Sequence, residues 1–533
     1  MNPLALDFVS PLPPVRSGIS DYSVDLLPHL AALADVRVCR LPDQPVSPDV
    51  ESRWRPAALD RLGEGGRVPL YQMGNNHYHS AVREAAMRVP GVLTLHDVVL
   101  HHLLLDETIG HGDWKGYRER LEAEHGWIGD AVAWGAWWGM HAASAQFALP
   151  AHQTLLRRQR GVLVHSRFAA ESVRDSIPEI AVAAVPMPIP LPRALAADAG
   201  ASFRARHGIP AQAFVAGSFG FQTPIKRTEI AIAALAAPAL RDVHLLIAGE
   251  LAEVLDFDRW ARAAGVADRV HVTGYLAAED FEASIAAADV SLNLRYPSAG
   301  ETSAALLRVL ALGRPAIVSD YAQFAELPES IAVGVPLADP ASEAQVLASA
   351  IADLRARPER LAEMGAAARL HVAREHDPAR AAQAIRDACE EFSTLRPLGD
   401  ASAVEWPMTS TLAPEGRGRL EVTGASAPWA AGERRELRVR LENLGPISFL
   451  AGDRGDGGVA LRAELRDVNG VDRLEGSAWV ALPRDLLPGE SAEVTISIRR
   501  PPGGVTLRVE PHVLGRSGLP FFWTGDATWE RAI

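Results

Sequence analysis

Over residues 1–190, short apolar runs alternate with longer stretches of helical period. The runs LALDFVS, VRVCR, PLYQMG, VLTLHD and GVLVHS read as buried parallel strands. Helical patterns separate them, one opening near Ser20 and another near Tyr117. Ser166 follows a strand and precedes FAAESVRDS, where its hydroxyl can cap a helix. The Pro-rich passage VPMPIPLPRA then interrupts both periods and predicts a linker between lobes. A second alternating series fills residues 191–395. Its strands are FVAGSFG, VHLLIAGE, RVHVTGY, VSLNLRY, PAIVSD and IAVGVP. Its helices start near Lys226, Glu279, Thr302, Ala341 and Pro358, and a helix from about Pro378 to Phe392 closes it. Two such series in succession predict an α/β protein of two doubly wound lobes with a cleft between them.

The pattern lapses into Pro, Ser, Thr and Gly over 396–416, which predicts a second linker. From 417 to 533, RLEVTG, RELRVRLEN, VALRAELRD, SAEVTISI and VTLRVEPHV alternate apolar and polar positions with period two. Turn residues separate them, and the whole predicts an all-β sandwich.

Composition narrows the function classes. Hydrophobic residues make up 48% and charged residues 22%, which suits a soluble protein with real cores. The formal net charge of −13 excludes the broad basic face that nucleic acid needs. It also argues against a broad anionic-lipid surface, while a local patch for peripheral membrane contact stays open. Cys39 and Cys389 fit neither a metal-ligand nor a CxxC spacing, so two small buried residues are expected, with no disulfide and no zinc site. The start of the chain lacks a basic region followed by a long apolar one, so a cytoplasmic location is expected, with the inner face of the membrane as an extension of it. Residues 131–156 carry no formal charge and are long enough to cross a bilayer. They are rich in Ala and Gly and include His141, Ser144, Gln146, His152 and Gln153, poor choices for hydrocarbon. Trp134, Trp137 and Trp138 share one helical face. A buried helix is the first reading, and a membrane-docking or lipid-acceptor face the second.

The candidate chemistry begins at RYPSAGETSAALLRVLALGRPAIVSD. A strand ends at Tyr296, a glycine-containing turn follows, and a helix starts at about Thr302. Free backbone amides at such a helix start can hold a phosphate or a sugar hydroxyl. Glu301 stands at the mouth, and Thr302 and Ser303 can cap the helix. A capped helix with a solvated carboxylate explains the same local features. The segment NLRYPSAGETSAALLRVLALGRPAIVSD resembles the donor-binding region of family 4 glycosyltransferases, and GETS, LLR, GRP, VSD and FAELP resemble a bacterial subgroup of it. The family pairs two glutamates eight residues apart. Anchored on Leu312-Gly313-Arg314-Pro315, those places fall on Gly300 and Arg308, and Glu301 stands one place late. The donor-ribose contact is therefore unassigned, with Glu326 either serving it or standing as a plain helix residue.

The resemblance implies further site residues. In AGSFGFQTPIKRTEIAIAAL, Lys226 matches the family lysine at the donor diphosphate. The family arginine has no counterpart, because Gly220 stands near its place, and Arg227 is the candidate to compensate. A fixed cation there stabilises the leaving diphosphate most as the glycosidic bond breaks. In the first lobe, SPLPPVRSGISDY resembles the family's N-terminal glycine loop, with Gly18 allowing close backbone approach. His96 matches the family histidine that touches the transferred sugar. From their place at strand ends, Asn76, His79 and Asp97 are acceptor-side candidates, together with Asn75 and His77, and His101 and His102 are acceptor-side or structural. A metal at His96, Asp97, His101 and His102 is not expected.

The resemblance covers roughly residues 1–395. It implies a GT-B architecture and a retaining enzyme that moves a hexose from a UDP- or GDP-sugar to a hydroxyl of a glycan or lipid-linked acceptor. No cofactor is expected beyond the donor itself. A GT-B sugar-nucleotide epimerase, and a non-catalytic glycan-binding or assembly protein, stand as alternatives. A glycan phosphorylase lacks a supporting motif. The segment WVALPRDLLPGESAEVTISI resembles Ig-like β-modules appended to bacterial polysaccharide enzymes. Later in the same β-region, Phe521, Phe522 and Trp523 could stack on a sugar ring or form core plus edge.

Overall fold

The computed structural model describes residues 4–42, 44–139, 145–192, 195–399, 409–410, 415–425, 428–445, 447–452, 457–467, 478–501, 503, 505–514 and 522–532. The chain divides into two compact units, Met1–Glu107 with His152–Ala401, and Thr108–Ala151 with Ser402–Ile533.

The first unit holds two parallel sheets. Strands β1 (Ala5–Val9), β2 (Asp35–Arg40), β3 (Ala57–Ala58), β4 (Val68–Met73), β5 (Val92–Leu95), β6 (Gly161–Val164) and β7 (Val182–Ala184) form the first lobe in the order β3-β2-β1-β4-β5-β6-β7. Strands β8 (Phe214–Phe219), β9 (Val243–Ala248), β10 (Val270–Gly274), β11 (Val290–Asn293), β12 (Ala316–Ser319) and β13 (Ala332–Val335) form the second in the order β10-β9-β8-β11-β12-β13. The central strands β5, β6, β11 and β12 are buried at every position, as strands covered on both faces by helices must be. Ser166 caps helix Arg167–Ser176 by accepting from the Ala169 amide at 3.1 Å.

The last helix, Pro378–Ser393, follows the second lobe in sequence but packs on the first, against helix Gly18–Leu30 and strands β4, β5 and β6. Its Ile385, Ala388, Cys389 and Phe392 share one core with Leu6, Phe8 and Tyr22 of the first lobe and Leu306 and Leu310 of the second. A Cβ on Gly161 would come within 2.3 Å of the Phe392 ring, so glycine there lets the helix seat on β6. Where the chain crosses back, His376 meets the Pro-rich linker. The Ile189 amide donates to the His376 carbonyl at 2.9 Å, and His376 Nδ1 lies 3.0 Å from the Met187 carbonyl. Cys39 and Cys389 are free and buried.

The second unit contains helix Trp114–Trp137 and an all-β region. The β-region adds strands β14 (Glu415–Thr423), β15 (Arg434–Asn443), β16 (Val459–Asp467), β17 (Ala478–Ala481), β18 (Ser491–Arg499), β19 (Val505–Val513), β20 (Phe522–Thr524) and β21 (Trp529–Ala532). They form two four-stranded sheets, β18-β15-β14-β20 and β17-β16-β19-β21. Along β18 every second residue is buried, the alternation a sheet with one wet face requires. Trp523 packs against this core, 4.9 Å from the Phe449 ring in a T-shaped arrangement. Phe521 and the Phe522 side chain lie outside the described residues.

The tryptophan stripe corrects the expectation of a buried helix. Trp134, Trp137 and Trp138 are 45, 52 and 68% exposed, whereas Ala133 and Ala136 are buried. Helical spacing places the indoles on one face without saying which face turns inward, and here the small residues do. His141 and Ser144 lie outside the described residues. Among the described residues no helix is long and apolar enough to cross a membrane.

Candidate active site

Strand order reverses between β1 and β4 in the first sheet and between β8 and β11 in the second. The carboxyl ends at such reversals are where doubly wound sheets bind ligands, because the loops there diverge and leave a crevice.

In the second lobe the chain leaves β8 through Gly220, whose φ of +84° suits glycine. A Cβ at Gly220 would stand 3.3 Å from both Ala305 Cβ and Lys226 Nζ. Lys226 therefore sits directly under the turn, its Nζ donating to the Phe219 carbonyl, and only 7% exposed. Burial pushes its amine well below the ordinary lysine range, and the Arg295 guanidinium pushes the same way, against the opposing pull of the Glu301 carboxylate. Arg227 turns elsewhere. Its guanidinium meets Glu343 at 2.6 Å and lies over the Tyr296 ring.

The turn after β11 holds Glu301. Glu301 Oε2 accepts from the Ala299 amide at 3.0 Å and the Ser298 hydroxyl at 3.2 Å. Gln323 braces the turn by donating to the Glu301 carbonyl at 2.5 Å and the Ser298 hydroxyl at 3.0 Å. Gly300 has φ +80°, and a Cβ there would clash with Val98 of the first lobe at 2.6 Å. The amides of Val98 and Val99 both donate to the Ala299 carbonyl, so this turn joins the two lobes. Ser303 caps helix Ala304–Ala311 by accepting from the Leu306 amide at 3.2 Å.

Arg308 and Glu326 both reach the first lobe. Arg308 lies 3.8 Å from Asp21 and 4.0 Å from Asp25. Burial raises the carboxyl of Asp25 to about 6, opposed by Arg308. Glu326 accepts from the amides of Arg167 at 3.1 Å and Phe168 at 2.6 Å, so it caps a first-lobe helix together with Ser166.

In the first lobe, Gly18 opens helix Gly18–Leu30 and a Cβ there would meet no atom within 4 Å. His96, 7% exposed, lies 2.9 Å from Gln72 Oε1 through Nε2 and packs on Tyr22 and His165. Burial holds its imidazole well below the usual range, followed by the neighbouring His165 and His79. Asp97 accepts from the Asn75 amide at 3.1 Å. Burial first and the Glu301 carboxylate second raise Asp97 to about 7, against the pull of the Asn75 amide and Arg295. Asn75 Nδ2 lies 3.0 Å from His102 Nδ1. Asn76 caps the turn His77–His79. His79 and His101 are fully buried, and His79 Nδ1 lies 3.1 Å from the Gln72 carbonyl.

The structure thus brings Gly220, Lys226, Glu301 and Asp97 into one electrostatic neighbourhood and leaves Arg227, Arg308 and Glu326 with other partners. Sequence reasoning missed Arg295, Gln323 and Gln72. Arg295 had a signal, because it is a lone charge in the apolar run LNLRY at a strand's carboxyl end. A cleft of about 680 Å³ at the opposite, amino ends of β8 and β9 is lined by Arg204, Arg241, Arg269 and Arg355. Arg204 and Arg269 there hydrogen-bond backbone carbonyls, which makes them structural braces.

Residues 212–357 match the family model described as glycosyl transferases group 1. Several solved structures match over nearly three quarters of the chain. The Anabaena protein HepE in complex with UDP is 15% identical, with a TM-score of 0.52, covering 73% of this chain and 100% of that one. The same protein with UDP and glucose is 17% identical at a TM-score of 0.52 over the same shares. Sucrose-phosphate synthase from Thermosynechococcus elongatus is 16% identical at a TM-score of 0.51, over 73% of this chain and 99% of that one. No curated protein matches. Fold and family model agree on a GT-B architecture whose second lobe is similar to the glycosyl transferases of group 1.

Proposed function

We propose that this protein is a retaining glycosyltransferase that moves a hexose from a UDP- or GDP-sugar to a hydroxyl of a glycan or lipid-linked acceptor, in bacterial polysaccharide or glycoconjugate synthesis. The observation that carries the reading is that buried Lys226, under the Gly220 turn, and half-buried Glu301, on the turn after β11, both stand at the strand reversal of the second lobe, inside the segment similar to group 1 glycosyl transferases. HepE complexes with UDP and with UDP-glucose support a uridine nucleotide as the first donor to test.

In this reading the bond between the sugar C1 and the β-phosphate oxygen breaks, and C1 bonds to the acceptor oxygen on the same face. The acceptor proton passes to the departing phosphate oxygen. Lys226 stabilises the negative charge that grows on the diphosphate, Glu301 accepts from sugar hydroxyls, and His96 orients the sugar. Asp97, with its carboxyl raised to about 7, stands on the acceptor side of Glu301. The Val98–Ala299 contact helps exclude water when the lobes close.

A donor screen that reads nucleoside diphosphate release, with product stereochemistry by NMR, tests the proposal. Lys226→Ala and Glu301→Ala should each lower transfer by about 100-fold or more, the scale of one lost electrostatic contact. Near-normal turnover in both variants would sink the assignment. Donor returned as an isomerised sugar without acceptor would make the protein an epimerase instead.

A further inference from the structure

Five buried polar side-chain atoms at the carboxyl end of β11 and on the loops that leave β8 and β11 have no hydrogen-bond partner among the described residues: Thr223 Oγ1, Asn293 Nδ2, Arg295 Nε, Glu301 Oε1 and Thr302 Oγ1. Native proteins rarely leave such atoms unmatched, so a cluster at a strand reversal marks space shaped for a polar ligand. Arg295 is the charged donor in this cluster. Its backbone amide is fixed by the Ser319 hydroxyl at 2.9 Å, which aims a side chain only 12% exposed along the carboxyl ends of the sheet. Its nearest carboxylate oxygen, Glu301 Oε1, stands 3.7 Å from Nε, beyond hydrogen-bond reach.

Arg295 also acts on the site electrostatically. It lowers the affinity of Lys226 for its proton and lowers the carboxyl of Asp97. Two buried cations within electrostatic reach of one another repel, and the Glu301 carboxylate leaves Arg295 Nε without a hydrogen bond. An anion with several oxygens would satisfy both.

Building on the reading above, that the site takes a nucleotide sugar, we propose that Arg295 is the second cation of the diphosphate subsite. It fills the role left open by glycine at position 220 and by the turning away of Arg227 toward Glu343. Arg295 grips the diphosphate by charge-assisted hydrogen bonds, with Glu301 as its counter-charge while the site is empty of donor.

The test measures binding of UDP, GDP, inorganic pyrophosphate and uridine to the full chain by calorimetry, for wild type, Arg295→Met and Arg295→Lys. Loss of a charged hydrogen-bonded contact should weaken the diphosphate ligands by about 10- to 100-fold in Arg295→Met. Uridine binding should stay within about twofold, and Arg295→Lys should recover part of the loss, because it keeps the charge without the fork. Thermal melting checks that each variant folds, and Arg295→Lys carries the comparison if Arg295→Met does not. Unchanged diphosphate affinity in a folded variant, or equal loss for uridine and UDP, overturns the role of Arg295 alone. A wild-type protein that binds none of the nucleotides or pyrophosphate overturns the transferase reading together with it.

Discussion

Lys226 lies under the Gly220 turn with a carbonyl as its hydrogen-bond partner, whereas Arg227 meets the fully buried carboxylate of Glu343 at 2.6 Å. The first arrangement is costly to the folded chain, since a buried amine without a close counter-charge loses its hydration. The second is self-consistent, and removing one partner strands the other. Lys226→Met should therefore leave the melting temperature unchanged or raised while transfer is lost. Arg227→Met should destabilise by about 3–5 kcal/mol in chemical melts, the usual cost of stranding a buried charge. If Lys226→Met melts lower than Arg227→Met, the roles have been exchanged. The sequence could say that two cations open the helix after β8. It could not say which one turns into the cleft, because that depends on Arg227 adopting φ +50° and on a glutamate more than a hundred residues away. That Lys226 and Glu301 stand on the loops leaving β8 and β11 was legible from motif wording, whereas Arg295 was absorbed into the pattern of its strand.

The short turn Ala322–Glu326 links two contacts that the sequence left apart. Gln323 braces the Glu301 turn, and Glu326, three residues on, caps helix Arg167–Ser176 of the opposite lobe. The Glu301 turn and the lobe contact are thus tied through one element. A side-chain cap contributes about 0.5–2 kcal/mol, and a carboxylate also suits the positive end of a helix. Glu326→Ala should shift the nucleotide-free protein toward separated lobes by about tenfold, for a loss near 1.4 kcal/mol. Energy transfer between dyes on the two lobes would report this as a growing low-efficiency population, and an unchanged distribution would show that other contacts hold the lobes together. At this scale most elements were legible, since buried parallel strands are written as apolar runs. The strands β3, β7, β17, β20 and β21 were not, because they lie at sheet edges, where no continuous apolar run is required of them as it is of the equally short but fully buried β5, β6, β11 and β12. The Trp134 stripe failed for a different reason, in that periodicity defines a face without orienting it.

The largest departure from the linear reading is helix Pro378–Ser393, which belongs in sequence to the second lobe and in packing to the first. Its amphipathic pattern revealed an apolar face, but nothing local identifies the surface it covers. Phe392 is 4% exposed and seats against Gly161 of β6. Phe392→Ala should cost about 3–5 kcal/mol, the range for deleting a buried ring. Because this core also contains Leu306 and Leu310, donor binding should weaken in step with the melting temperature. A stability loss with donor affinity intact would show that the lobes respond independently.

The return of that helix means that the chain crosses between lobes twice, at the linker around Ile189 and again near His376, and the two crossings are hydrogen-bonded to each other. A single tether would let one lobe swivel in every direction about the other. Two adjacent tethers remove most of those freedoms and leave rotation about the line through them, as two pins on one edge do for a door. An engineer who wishes to transplant the second lobe from a relative must therefore make two cuts, and must leave residues 378–393 with the first lobe they complete.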